Sequence, residues 1–381
     1  MPYPMTVIEF TPENIRLISG YVKEEKIYLT NALEGEDLTI EGKLPVLREA
    51  SESLKCLKEK ALESIKDLGS VILVLPPFDF EVLSNIDGQE YPSNSDGNLT
   101  SSDYQNCFNR ILNRARNCSA KGEIIDLHPF SFTIDSSERF EDYPTILRAQ
   151  SLQVNADIHL IDPDFASFAR EVLRRNQIEA KLTFVSSYAR YEYLYQQRRL
   201  PSFYNLDIQA ERIEVTTVVS RRITDAKILS KNGKDLLRAI AKELSISTER
   251  ALELLKTFGF AGDPNFPFQT EEGITLSSLK TAAINAVRDL AQDVYFSLKK
   301  TSDPIPMILS GTLAQIEDLD SLFSRLLSIN VQAFHCPLFG AKSGAYESML
   351  GALLLANKPY QNMKENTKSV QTSLKRTGFD R

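Results

Sequence analysis

A chain of 381 residues is too long for one small core and is expected to divide into several domains or subdomains. Hydrophobic residues make up 42% and charged residues 25%, the balance of a soluble globular protein, and a net charge of -7 excludes a surface built to coat nucleic acid or anionic lipid. Four cysteines (Cys56, Cys107, Cys118, Cys336) and three histidines (His128, His159, His335) show no metal-ligand spacing, which argues against a zinc or disulfide framework. The opening Met1-Pro2-Tyr3-Pro4-Met5 lacks the pattern of a signal peptide, and no apolar run approaches the roughly 20 residues that cross a bilayer. A cytoplasmic location is expected.

Thr6–Phe10 and Ile15–Gly20 are rich in branched residues and flank the turn signal Thr11-Pro12-Glu13-Asn14, which predicts a hairpin; a third short strand is expected near Lys26–Leu29. Leu54, Leu57, Ala61, Ile65 and Leu68 recur at helical intervals and predict a long amphipathic helix. Val71–Leu75, stopped by Pro76 and Pro77, predicts a buried strand. Ser84–Asp103 is polar and rich in turn residues and reads as a loop, with a helix expected over Tyr104–Cys118. Phe130, Phe132 and Ile134, then Leu152, Val154, Ala156, Ile158 and Leu160, alternate with polar residues and predict two strands, each with one buried face. Past Pro163 the period turns helical through Phe165, Phe168, Ala169, Val172 and Leu173, and Lys181–Ser186 reads as a strand. Tyr188–Arg199 mixes tyrosines with arginines; base stacking is one reading, and a partly exposed amphipathic helix is the one the acidic chain favours.

The second half repeats the plan. Strands are expected at Phe203–Ile208, Ile213–Val219 and Ile223–Leu229, followed by two helices, the second with Ser247 as N-cap and Glu249 in its first turn. A long helix is expected around Ala283, Ala286, Leu290, Val294 and Leu298, then strand Ile305–Ser310, a turn at Gly311, helix Leu319–Leu327, strand Ile329–Phe334 and a closing helix Ser343–Ala356. Hairpin, helix and strand, occurring twice, describe a duplicated α/β domain.

Several blocks resemble the actin-like ATPase superfamily, and the bacterial cell-division protein FtsA in particular. Val7-Ile8-Glu9-Phe10-Thr11, ahead of Ile15, stands where the family has an Asp-x-Gly phosphate hairpin. Leu206-Asp207-Ile208-Gln209-Ala210-Glu211-Arg212-Ile213-Glu214 stands where a second hairpin reads Asp-x-Gly-Gly-Gly-Thr. Ile308-Leu309-Ser310-Gly311-Thr312-Leu313-Ala314-Gln315 resembles the adenosine-side motif Leu-Thr-Gly-Gly-x-Ala, and the run Asn232–Gly259 also reads like FtsA. Glu123–Ile161 resembles the 1C subdomain, which FtsA shares with its pilus relative PilM and which actin lacks.

The resemblance implies an α/β, actin-like (ribonuclease H-like) duplicated two-lobed fold with an FtsA-type 1C subdomain. It assigns residues 1–80 and 159–200 to the first lobe (1A) and 81–158 to 1C. Residues 201–230 open the second lobe (2A), 231–302 form its outer subdomain (2B), 303–357 complete it with the closing helix, and 358–381 form a basic flexible tail.

In that family two hairpins wrap the phosphates of ATP with backbone N–H groups, glycines give clearance, and acidic residues hold Mg. Here the glycines are largely replaced, by Thr11 and Pro12, by Gln209, Ala210 and Glu211, and by Thr312. A carboxylate at Glu211 would repel a phosphate about 4 Å away by roughly 1–4 kcal/mol. What the resemblance leaves as cofactor-binding candidates is Glu9, Asp207, Arg212, Glu214 and Gly311, with Glu9 and Asp207 as Mg ligands. Either Arg212 substitutes for the lost amides and holds a phosphate, or these residues only finish their sheets. A degenerate site for ATP with Mg, without catalytic residues, is expected, so the chain reads as an adaptor rather than an enzyme.

The partner implied is the C-terminal tail of FtsZ, received by residues 231–302, where Arg288, Lys299 and Lys300 could meet acidic groups. Self-polymerisation, and weak peripheral contact with the inner face of the membrane at the division site through the basic tail, come with the same resemblance; nucleic acid does not. The tail is basic but its apolar residues Val370, Leu374 and Phe379 make a poor amphipathic anchor. A PilM-like scaffold binding a peptide of a membrane assembly protein is the alternative, and an ATP-dependent enzyme of the superfamily is a further one.

Overall fold

The computed structural model describes residues 4–41, 44–92, 98–118, 122–144, 148–260, 267, 269–336 and 344–358. The expected basic tail, from residue 359 on, and Ser343 at the start of the expected closing helix lie outside these. The chain divides into two compact units, Met1–Tyr193 with Ser348–Arg381, and Leu194–Glu347.

The first unit opens with β1 (Met5–Phe10), β2 (Ile15–Lys23) and β3 (Lys26–Glu34), an antiparallel meander. A two-residue pair, β4 (Ile40–Glu41) and β5 (Leu44–Pro45), precedes α1 (Leu47–Leu62) and β6 (Ser70–Leu75). Then come β7 (Glu81–Glu90), α2 (Ser101–Cys118), β8 (Glu123–Ile134), β9 (Glu138–Phe140), β10 (Leu152–Ile161), α3 (Pro163–Arg175), β11 (Leu182–Val185) and α4 (Ser186–Arg198), the last crossing the unit boundary.

The main sheet has the order β11-β6-β1-β2-β3, with β1, β6 and β11 parallel. All six residues of β1 are buried, as a strand at a sheet centre covered on both faces requires, Thr6 and Glu9 included. One face is covered by α1, through Ala50, Leu54, Leu57 and Ala61, and by α3, through Phe165, Phe168, Ala169, Val172 and Leu173. Asp162 caps α3 by accepting the Asp164 N–H, and Pro163 stands at the first helical position, where its missing N–H costs nothing.

The smaller sheet, β7-β10-β8-β9, carries α2 on one face. There the Cys107 thiol, pushed up to about 12 by burial, donates to the Leu152 carbonyl at 3.7 Å. The polar stretch expected as a loop from Ser84 instead contains most of β7. That strand lies at a sheet edge with β10 as its sheet partner and buries only Gly88, so no alternation marks it in sequence. Pro129-Phe130, read as a break, is a bulge in a continuous β8: Asn155 pairs with Ser131 and Ala156 with Pro129, leaving Phe130 extra.

The second unit repeats the main sheet. Its strands are β12 (Phe203–Ile208), β13 (Ile213–Val219), β14 (Arg222–Ile228), β15 (Met307–Ser310) and β16 (Val331–Ala333), in the order β14-β13-β12-β15-β16. Three antiparallel strands followed outward by two parallel ones is the arrangement of β3-β2-β1-β6-β11, as the duplication read from sequence requires. The helices are α5 (Gly233–Leu244), α6 (Thr248–Phe258), α7 (Leu276–Ser297) and α8 (Leu319–Leu327). Asn232 with Asp235, and Thr275 with Ser278, form capping boxes on α5 and α7, and Ser247 caps α6.

The closing helix, expected together with the remainder of the second lobe over 303–357, is α9 (Glu347–Ala356). From Ser348 onward it packs in the first unit, apolar on every side as a core helix must be. Its seat is α4, where Gly351 lies against the Ala189 carbonyl. That contact corrects the expected exposure of α4: Tyr188, Ala189, Arg190, Tyr191 and Tyr193 are buried, because α9 lies on one side and the histidines of the small sheet on another. No described helix is long and apolar enough to cross a membrane.

Candidate functional site

The two equivalent hairpins are the natural place to look, since each follows the central strand of its sheet. Both have four-residue turns, closed by Phe10↔Ile15 and by Ile208↔Ile213. In both, the first turn residue donates its N–H to the carbonyl of the fourth at 2.9 Å: Thr11 to Asn14, and Gln209 to Arg212. What differs from a phosphate hairpin is what fills the turn.

In the first hairpin the Thr11 hydroxyl accepts the Asn14 N–H at 2.9 Å and the Glu13 N–H at 3.3 Å, and donates to Asn14 Oδ1 at 2.8 Å. Pro12 has no N–H to offer. Each amide hydrogen of this turn is therefore already given. Beneath it, Glu9 is fully buried and accepts the Ser348 hydroxyl at 2.7 Å, while Arg16, opposite Glu9 in the strand register, lies 3.9 Å from it. Arg16 Nε also donates to Glu34 at 3.0 Å, so one buried guanidinium serves two carboxylates.

In the second hairpin Asp207 and Glu214 face each other across the register, both with no exposed surface. Arg212 stands between them, 3.8 Å from Asp207 and 3.9 Å from Glu214, itself 1% exposed. Gln209 folds inward: its amide donates to Asp207 Oδ1 at 2.9 Å and to the Gly344 carbonyl at 2.5 Å. Its Oε1 is buried with no hydrogen-bond partner among the described residues, an acceptor where a phosphate would need a donor. The first amides of α5, on Gly233 and Lys234, bond the carbonyls of Gln209 and Ala210, so this helix N-terminus is spent on the turn.

Of the residues singled out from sequence, Asp207, Arg212, Glu214 and Gly311 come together in the second unit, and Glu9 holds the equivalent place in the first. Gly311 has φ +98°, and a Cβ there would stand 2.4 Å from the Ile208 carbonyl oxygen; only glycine lets the β15 turn approach β12 this closely. Sequence reasoning missed Arg16, Ser348 and Gly344. Arg16 was findable, because a four-residue turn pairs it with Glu9; Ser348 and Gly344 arrive from distant chain with no local signal.

ATP with Mg, the cofactor the fold implies, does not fit these donors. The amides of the first turn are consumed, in the second turn Gln209 gives its N–H to the Arg212 carbonyl, Gln209 and Thr11 stand where the family has glycine, and each acidic residue named for Mg has an arginine within 4 Å. Among the described residues no group of three or more His, Cys, Asp or Glu is placed to hold a metal ion.

No protein-family model matches the sequence, and no curated protein sequence is similar to it. Solved structures do match. The PilM–PilN type IV pilus biogenesis complex aligns at a TM-score of 0.59 and 17% identity over 93% of this chain and 99% of that one. The ethanolamine utilization protein EutJ from Carboxydothermus hydrogenoformans aligns at 0.53 and 13% over 93% and 90%. MreB5 of Spiroplasma citri bound to ADP aligns at 0.51 and 11% over 95% and 98%. The chain has the actin-like ATPase fold.

Proposed function

We propose that this protein is a scaffold of the actin-like fold that works without nucleotide, binding a short segment of a membrane-assembly protein in the manner of the PilM–PilN pair. The observation that carries the reading is Arg212 buried between Asp207 and Glu214, because a built-in cation within 4 Å of both carboxylates occupies the electrostatic place that Mg would take. The alignment with PilM over nearly the whole chain supports the choice of partner class. Self-assembly and a place at the inner face of the membrane belong to the same scaffold reading.

An FtsA-like role, receiving the FtsZ tail, is the second reading, and one feature favours it. At the end of α7, Tyr295 is 55% and Phe296 74% exposed, beside exposed Lys299 and Lys300. An acidic tail with apolar anchors suits such a surface. Fluorescence anisotropy with an FtsZ C-terminal tail peptide and with a PilN-type protein from the same organism separates the two. Micromolar binding of the PilN-type protein alone is the expected result; binding of the tail alone, lost on Phe296→Ala, replaces the pilus reading with the division one, and binding of neither refutes both.

A further inference from the structure

On one face of the small sheet, four ionisable side chains form an alternating square. Asp126 and His128 stand on β8, Asp157 and His159 on β10, and the register pairs Asp126 with His159 and His128 with Asp157. All four are buried, at 5%, 7%, 0% and 0% exposure. Such groups are costly inside a protein unless each is engaged, and their engagement here reaches beyond their own sheet.

The Asp126 carboxylate divides its two oxygens. Oδ1 lies 2.5 Å from His159 Nδ1, within the small sheet. Oδ2 accepts the Val185 N–H at 2.9 Å. Val185 is the last residue of β11, an edge strand of the main sheet, and α4 begins at the next residue. The main sheet is thus continued at this corner by a side-chain carboxylate rather than by a further strand. Directly beyond, Tyr188 of α4 packs at a tilt against His128 with ring centroids 4.6 Å apart and meets the His159 ring edge-on at 5.1 Å. Phe80 closes the other side of His159 at 5.4 Å, and the Asn85 N–H on β7 donates to Asp157 at 2.9 Å.

We propose that the Asp126 carboxylate is a conformational latch, which locks the small sheet onto the β11–α4 corner, so that movement of the small sheet is felt at α4. α4 is the helix through which the chain leaves the first unit. A partner that shifts β8 or β10 therefore alters the footing of that helix. The inference is independent of which partner is taken and of the state of the two hairpins.

Hydrogen–deuterium exchange of the full chain tests it. Asp126→Ala is expected to speed exchange about tenfold or more at 182–193 together with 123–134, the loss of a charge-assisted buried hydrogen bond, while β1–β3 keep their protection. Val154→Ala, a cavity in the core of the same sheet, is expected to loosen the small sheet alone. Asp126→Asn is expected to restore protection at 182–193, because its carbonyl still accepts the Val185 N–H. Should Asp126→Ala not fold, Asp126→Ser, which keeps a polar group in the small sheet but is too short to reach the Val185 N–H, carries the same expectation. Exchange at 182–193 within about twofold of wild type, or an equal rise throughout β1–β3, overturns the proposal.

Discussion

Replacing Arg212 with alanine is expected to destabilise the second unit by about 3–5 kcal/mol, measured as the loss of urea-unfolding free energy. The sign follows from burial. Asp207 and Glu214 have no exposed surface, and Arg212 brings a cation within 4 Å of both. Removing it strands two carboxylates in a medium that cannot solvate them, although Gln209 and Ser310 still donate to Asp207 and Thr216 to Glu214. The triple variant Asp207→Asn, Arg212→Met, Glu214→Gln removes all three charges together and is expected to recover most of that loss. A cost below about 1 kcal/mol for Arg212→Ala contradicts the view that the arginine is this hairpin's counter-ion.

Gly351→Ala is expected to cost about 3 kcal/mol, against the ordinary preference of a helix for alanine over glycine. The added Cβ would fall 1.7 Å from the Ala189 carbonyl oxygen and 3.3 Å from Tyr193 Cβ. Both neighbours belong to buried α4, so α9 has to move off its seat. Thermal and urea unfolding read the effect. A stabilisation of about 1 kcal/mol, which helix propensity alone would give, shows that α9 does not pack there.

Much of the fold was legible because its elements carry strong local patterns. β6 is a short apolar run, β1 and β12 are short strands rich in apolar residues, α8 falls on the residues expected from periodicity, and Ser247 caps α6 as its type suggests. β7 was illegible for a physical reason: an edge strand that buries one glycine shows no period. The role of α4 was obscured by its composition, since tyrosines and arginines suit an exposed helix until α9 and the small sheet cover them. At the hairpins, the absent glycines were visible in sequence, and so were Asp207, Arg212 and Glu214. Their grouping around one shared cation was not, because it depends on Arg212 turning inward and on Gln209 reaching the Gly344 carbonyl, contributed from 135 residues away.

Isothermal titration calorimetry of the whole chain with ATP and Mg, repeated with ADP, addresses the nucleotide-free scaffold most directly. The buried arginines and the filled turns predict no saturable heat up to millimolar nucleotide. Binding with a micromolar Kd contradicts the account, since it requires the hairpins to release the side chains that now occupy them.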